Sequence, residues 1–278
     1  MAKFKRKPQG IVLTPTRPSI AIQRKYERKL KRLIEGMHKS TLWWVRAEYR
    51  KQQPRLAMDA SPVSDLLKAT KRLLDNWTRV FETEAKKASD WFAKQVGGFT
   101  ARSFKNALKK EKVLDFMTVD FAYKSKAEKN LMESIIASNV SLITSIPRQY
   151  FGEIEGLVQR SVQSGRDLSY LTKEIAARYP VTLRRASYIA RDQNDKATEA
   201  LNRQRALDLG AKKAIWVHTS AGKTYRKSHI AMDGQEYDLT KGCYDPDSHV
   251  RRHIHPGELP GCKCTMRPVF TFGDKKGG

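Results

Sequence analysis

Arg205-Ala206-Leu207-Asp208-Leu209-Gly210-Ala211-Lys212-Lys213-Ala214-Ile215-Trp216-Val217-His218-Thr219 is the stretch in which the chain changes its period. Upstream of Gly210 the apolar residues recur every three or four positions, and Thr182 stands as an N-cap for a long helix from Leu183 to Leu209. Gly210 fits a left-handed helix stop. Beyond it Ile215, Val217 and Thr219 alternate with Trp216 and His218, a strand pattern followed by the turn residues Ser220, Ala221 and Gly222. The expectation is an α+β chain: a largely helical N-terminal body followed by a small C-terminal mixed α+β unit.

Working back from Gly210, Asp167 caps a short helix ended by Pro180, and residues 149–164 form a helix stopped by Gly165. Residues 126–146 form another, with Pro147 as a break or kink. Ser61-Pro62 opens a helix that Gly97-Gly98 closes at Val96, followed by a short basic helix over residues 100–112 and an ambiguous apolar stretch at 113–123. The earliest helix covers residues 20–52 and stops before Pro54, with Tyr26, Leu30, Leu33, Ile34, Met37, Leu42, Val45 and Tyr49 near one face. Before it, residues 3–18 hold five basic residues, three prolines and no acid, which reads as an extended basic arm with too little apolar surface to order itself.

The 278 residues carry 54 Lys plus Arg against 29 Asp plus Glu, a net charge of +25, so a polyanion is the expected neighbour. Residues 1–60 contain 16 basic and 4 acidic side chains, concentrating +12 of that charge there. Phosphate contacts are accordingly assigned to Lys3, Lys5, Arg6, Lys7, Arg17, Arg24, Lys25, Arg28, Lys29 and Arg32, against the bland alternative that they solvate a long helix. No helix-turn-helix or finger pattern points to base-specific recognition. No run approaches the roughly 20 apolar residues of a membrane span, and the N-terminus has no secretory signal, so synthesis and use in a cytoplasm are expected.

The densest chemistry lies between Trp216 and Pro268, with five of the six histidines, all three cysteines, and Asp233, Asp238, Asp245 and Asp247. Thiolate and imidazole together suit zinc. The best ligand set is His229, Cys262 and Cys264, with Cys243 or His255 completing the shell; the alternative is that the cysteines are small buried hydrophobes. A metal-dependent nuclease would need His229, Asp233 and His255 to converge on a cation, but no HExxH, P-loop or GxSxG accompanies them.

The order Arg185-Ala186-Ser187-Tyr188-Ile189-Ala190-Arg191, Gly210, Trp216, then His229 to Asp233-Gly234, then Pro260-Gly261-Cys262-Lys263-Cys264 resembles the head morphogenesis family of tailed phages, the minor head proteins of the Mu and SPP1 type. The resemblance covers residues 126–270. Asp192-Gln193 stands where relatives carry Thr-Glu, and Arg226 and His229 occupy the positions of a Cys-x-x-Cys. Each matched residue also has a structural account: Ala186 and Ala190 allow close helix approach, Arg185 and Arg191 anchor polar groups, Trp216 plugs a core, and Asp233-Gly234 suits a hairpin turn.

The resemblance implies a non-enzymatic minor capsid protein inside the phage head near the portal, present in the host cytoplasm during assembly. Its partners would be portal protein, major capsid or scaffolding protein, and duplex DNA bound without sequence preference, with no membrane. The expected layout is an arm at 1–19, a portal- or DNA-facing helical region at 20–125, the head morphogenesis domain at 126–272 (helices 126–209, then 211–272), and a disordered tail at 273–278.

Overall fold

The computed structural model describes residues 10–51, 61–120, 122, 124–163, 168–219 and 226–272. Four long helices, α1 (Ile20–Lys51), α2 (Ser61–Lys110), α3 (Lys126–Gln163) and α4 (Leu168–Asp208), precede all but the first short strand, so the chain is α+β as the change of period at Gly210 indicates. Gly210 has φ +84°, the left-handed stop expected of it.

The long helices are fewer and longer than their punctuation suggests. α2 runs through Gly97-Gly98 and absorbs the basic segment at 100–112. Gly97 is buried, and a Cβ there would lie 3.2 Å from Met132 Cε, so its small size serves close packing rather than termination. α3 passes through Pro147 and α4 through Pro180. Around Pro147, Ile143, Ile146, Tyr150, Phe151 and Ile154 are all buried, and that burial outweighs the roughly 3 kcal/mol lost with one helical hydrogen bond. Thr182 does not cap a helix; its hydroxyl donates to the Arg178 carbonyl one turn back, at 2.9 Å. Asp167 and Gly165 lie outside the described residues.

The chain forms two compact units. One collects residues 23–92 and 136–190. Here α1 buries Tyr26, Leu30, Ile34, Met37 and Val45. Tyr26 stacks on Phe92 at 4.4 Å while its hydroxyl donates to Asn139 Oδ1 at 2.8 Å, and the Tyr150 hydroxyl hydrogen-bonds with His38 Nδ1 at 2.8 Å.

The other unit collects residues 1–22, 93–135 and 191–278. Its sheet has the order β1-β6-β2-β3, from β1 (Ile11–Val12), β6 (Thr265–Phe270), β2 (Lys213–Val217) and β3 (Glu236–Asp238), all antiparallel. A two-stranded ribbon pairs β4 (Cys243–Asp245) with β5 (Arg252–Ile254). Trp216 and Leu13 are fully buried in one core with Met232, Tyr237, Leu239, Ile254 and Phe270.

Two expectations are corrected here. Residues 11–13 are not part of a free arm: β1 pairs with the edge of β6, and the Leu13 N–H donates to the Pro268 carbonyl at 2.9 Å. Three consecutive apolar residues suffice to seat a strand despite their basic, proline-rich surroundings. Asp233-Gly234 does not join two strands; it turns the chain from the short helix α5 (Lys227–Ala231) into β3, with Gly234 at φ +74°. The tail at 273–278 lies outside the described residues.

Candidate metal centre

His229 projects from α5 into the core, 2% exposed, with Nδ1 3.5 Å from Cys262 Sγ and 3.6 Å from Cys264 Sγ. The three ligand atoms all lie within 4.8 Å of one another, and both thiols are buried. Cys262 and Cys264 come from the loop entering β6. The register that pairs Val217 with Thr265 carries His218 alongside Cys264, and His218 Nδ1 is 3.6 Å from that thiol.

The remaining nitrogen of His229 is also directed. Its Nε2 lies 3.4 Å from Asp245 Oδ2 on β4, a carboxylate with no solvent exposure. The Trp216 ring meets the imidazole edge-on at 5.3 Å between centroids, fixing the ring plane from a third side.

Cys243 lies outside this cluster although it shares the core. β4 presents Asp245, two residues on, to His229 instead. His255 is also elsewhere, lining a separate cavity of about 210 Å³ with Glu199, Arg203 and Glu258. Asp233 is committed to the turn, where its Oδ1 accepts the His218 backbone N–H at 2.8 Å. Among the described residues, His229, Asp233 and His255 therefore do not converge as a nuclease site would require.

The loop and the start of β6 are held from behind by α4. Asp192 Oδ1 accepts the Gly261 N–H at 2.6 Å, and Glu199 Oε2 accepts the Met266 N–H at 3.2 Å. Arg205 anchors the same helix, donating to Glu128 Oε1 at 2.7 Å, the Thr100 hydroxyl at 2.6 Å and the Gly97 carbonyl at 3.1 Å. In the other unit Ala186 and Ala190 are buried, and Arg185 donates to Ser145 Oγ at 2.8 Å. Arg191 is exposed.

The two thiols of the cluster share a hydrogen bond, which shifts them in opposite directions. The hydrogen bond from Cys264 holds the Cys262 thiol down to about 4 against burial, with His229 assisting. That same bond and burial push Cys264 well above the ordinary thiol range. Burial raises Asp195 to about 7 and Glu199 well above its usual range, whereas burial and Arg203 lower His255 to about 4.

Of the expected phosphate contacts, Arg17, Arg24, Lys25, Arg28, Lys29 and Arg32 are exposed. Lys29 Nζ also sits 5.0 Å over the Trp91 ring. Lys3, Lys5, Arg6 and Lys7 lie outside the described residues.

The Gly210 stop, Trp216, His229 and the Cys262/Cys264 loop lie in the order on which the sequence resemblance rests, and comparison with known families agrees. Residues 152–267 match the phage Mu protein F like family. The match runs from the second half of α3 into β6, so His218, His229, Cys262 and Cys264 all fall inside the matched residues. A protein of Haemophilus influenzae described as uncharacterized is 32% identical over 142 residues, which cover 50% of this chain and 29% of that protein. The chain thus spans under a third of the length of that relative. No solved structure matches.

Sequence reasoning missed three residues of the site. His218 was read only as an alternating strand position, Asp245 had no ligand spacing to mark it, and Asp192 stood out only as a departure from the family. A zinc-type carboxylate partner for His229 was the one signal that could have drawn attention to the acids of this segment.

Proposed function

We propose that this protein is a non-enzymatic minor head protein of a tailed phage or prophage. It acts inside the head near the portal, binds portal protein and duplex DNA without sequence preference, and aids procapsid assembly, DNA packaging or ejection. The observation that carries the assembly role is the phage Mu protein F like match over residues 152–267. Burial of His229, Cys262 and Cys264 to 4% exposure or less supports a non-catalytic role for the cluster, because substrate has no access to it.

The DNA contact is supported by α1. Arg24, Lys25, Arg28, Lys29 and Arg32 cover the exposed side opposite Tyr26, Leu30, Ile34 and Met37, a stripe suited to successive phosphates. Trp43 and Trp44, 61% and 43% exposed on the same helix, support a protein contact, since exposed aromatic pairs supply interface anchors.

Two measurements test the reading. Purified protein should lose roughly three to five decades of affinity for duplex DNA between about 50 and 200 mM salt if six to ten phosphates are neutralised. Changing Arg24, Arg28 and Arg32 to Gln should shallow that slope by about 0.9 per contact removed; a salt-independent affinity sinks the DNA role. For assembly, the protein should co-sediment with portal-containing procapsids and resist protease in intact heads. Protease sensitivity in closed heads rules out an interior location.

A further inference from the structure

We infer that the C-terminal sheet unit holds one structural zinc ion, ligated by Sγ of Cys262 and Cys264 and by Nδ1 of His229 and His218. The inference is independent of the DNA and portal roles and stands or falls on different experiments.

Geometry carries it first. Zinc bonds of about 2.3 Å to sulfur and about 2.05 Å to nitrogen, at the tetrahedral angle, place a sulfur and a nitrogen ligand about 3.6 Å apart. The sulfur–nitrogen separations here are 3.5 Å for Cys262–His229, 3.6 Å for Cys264–His229 and 3.6 Å for Cys264–His218. Three ligand atoms already form a compact face. His218 is half-buried at the end of β2 beside Cys264, so rotation of its side chain about Cα–Cβ brings it over the open fourth vertex.

Donor chemistry comes second. Two thiolates and two neutral imidazoles suit a borderline-soft cation and cancel its double charge, with the thiol protons released to solvent on binding. A hard cation such as calcium or magnesium would seek oxygen, and the cluster offers it none directly. Among the described residues, the carboxylate beside the cluster is Asp245, whose Oδ2 lies 3.4 Å from the far nitrogen of His229, where it would accept the Nε2 proton once Nδ1 binds the ion.

The placement of the ligands gives the ion its purpose. They come from the end of β2, from α5 and from the loop before β6, three segments separated by up to 46 residues. A zinc ion would tie that loop, α5 and the sheet together where the connecting elements are short. Asp192 on α4 already holds the same loop at Gly261, and Glu199 holds the start of β6 just beyond it at Met266, so the loop is anchored before any ion arrives.

The test uses the full chain, purified under reducing conditions after growth with zinc. Elemental analysis should find one zinc per chain, and titration of the stripped protein with cobalt(II) should give the intense visible bands and thiolate charge-transfer band of a tetrahedral site. Fewer than about 0.1 equivalents after zinc reconstitution, or cobalt spectra without a thiolate band, overturns the inference. These two readouts need only the unaltered protein, so they hold even where a cysteine variant fails to fold. Cys262→Ser or Cys264→Ser alone should roughly halve the charge-transfer band and the double variant should abolish it, whereas Cys243→Ser should leave it unchanged; loss with Cys243→Ser would reassign the shell. His218→Ala should replace one nitrogen by water and weaken the visible bands; identical spectra would remove His218 from the ligand set. Asp245→Asn should keep the stoichiometry while lowering affinity about 10- to 100-fold. Unaltered affinity would show that Asp245 has no orienting role.

Discussion

Glu199 and Asp195 stand one turn apart on α4, and burial holds both carboxyls above the ordinary range, Asp195 at about 7. The unfolded chain ionises both near pH 4 while the folded chain still binds the protons, so stability falls as pH rises above about 4, for Asp195 until about 7. The loss for Asp195 is on the order of a few kcal/mol. Asp195→Asn should therefore flatten the dependence of melting temperature on pH across this window and leave the melting temperature at pH 4 almost unchanged. Glu199→Gln should act in the same direction, because the amide oxygen can still accept the Met266 N–H. An unflattened slope in both variants would show that the two carboxyls ionise normally in the fold. Arg205 is the opposite case, a buried cation that donates to Glu128, Thr100 and Gly97. Arg205→Met would strand the Glu128 carboxylate and should cost about 3–5 kcal/mol in chemical denaturation. None of these roles was legible from residue type: Asp195, Glu199 and Arg205 are ordinary polar residues on a helix until the loop before β6 and the start of α3 cover them.

At the scale of elements, glycine and proline carried less information than their reputation suggests. Gly97-Gly98 was expected to end a helix, and Pro147 and Pro180 to divide two others, yet α2, α3 and α4 run through all of them. Local propensities of about 1 kcal/mol for glycine and about 3 kcal/mol for proline are smaller than the burial gained by continuing the helix. The two glycines should respond differently to substitution. At Gly98 a Cβ would meet only the tip of Arg102, at 3.5 Å, so Gly98→Ala should stabilise by about 0.5–1 kcal/mol through the unfolded chain. At Gly97 the Met132 methyl lies 3.2 Å from the added carbon, so Gly97→Ala should gain less or lose stability. Equal gains at both positions in urea titrations would deny the packing role of Gly97. By contrast Gly210, whose left-handed φ needs no neighbour to be read, ended its helix as expected.

For the whole molecule, the N-terminal segment joins two arguments. Leu13 is fully buried in the core that contains Trp216, so deleting residues 1–19 should destabilise the sheet unit. Leu13→Ala alone should cost about 2–5 kcal/mol, measured by thermal or chemical unfolding. DNA binding is therefore better tested by neutralising Lys3, Lys5, Arg6 and Lys7 than by removing the segment, which would confound charge with folding. By itself the sequence determined the change of period at Gly210, the α+β class, the apolar face of α1 and the family resemblance over the C-terminal half. These rest on periodicity and on local conformational limits that a few adjacent residues impose. Only the tertiary structure decided that residues 11–13 belong to the sheet, that three helices continue past their punctuation, and that Asp245 lies against His229 and His218 against Cys264, with Cys243 and His255 elsewhere. Those outcomes depend on strand register and on burial by segments far away in the chain, energies that no local window contains.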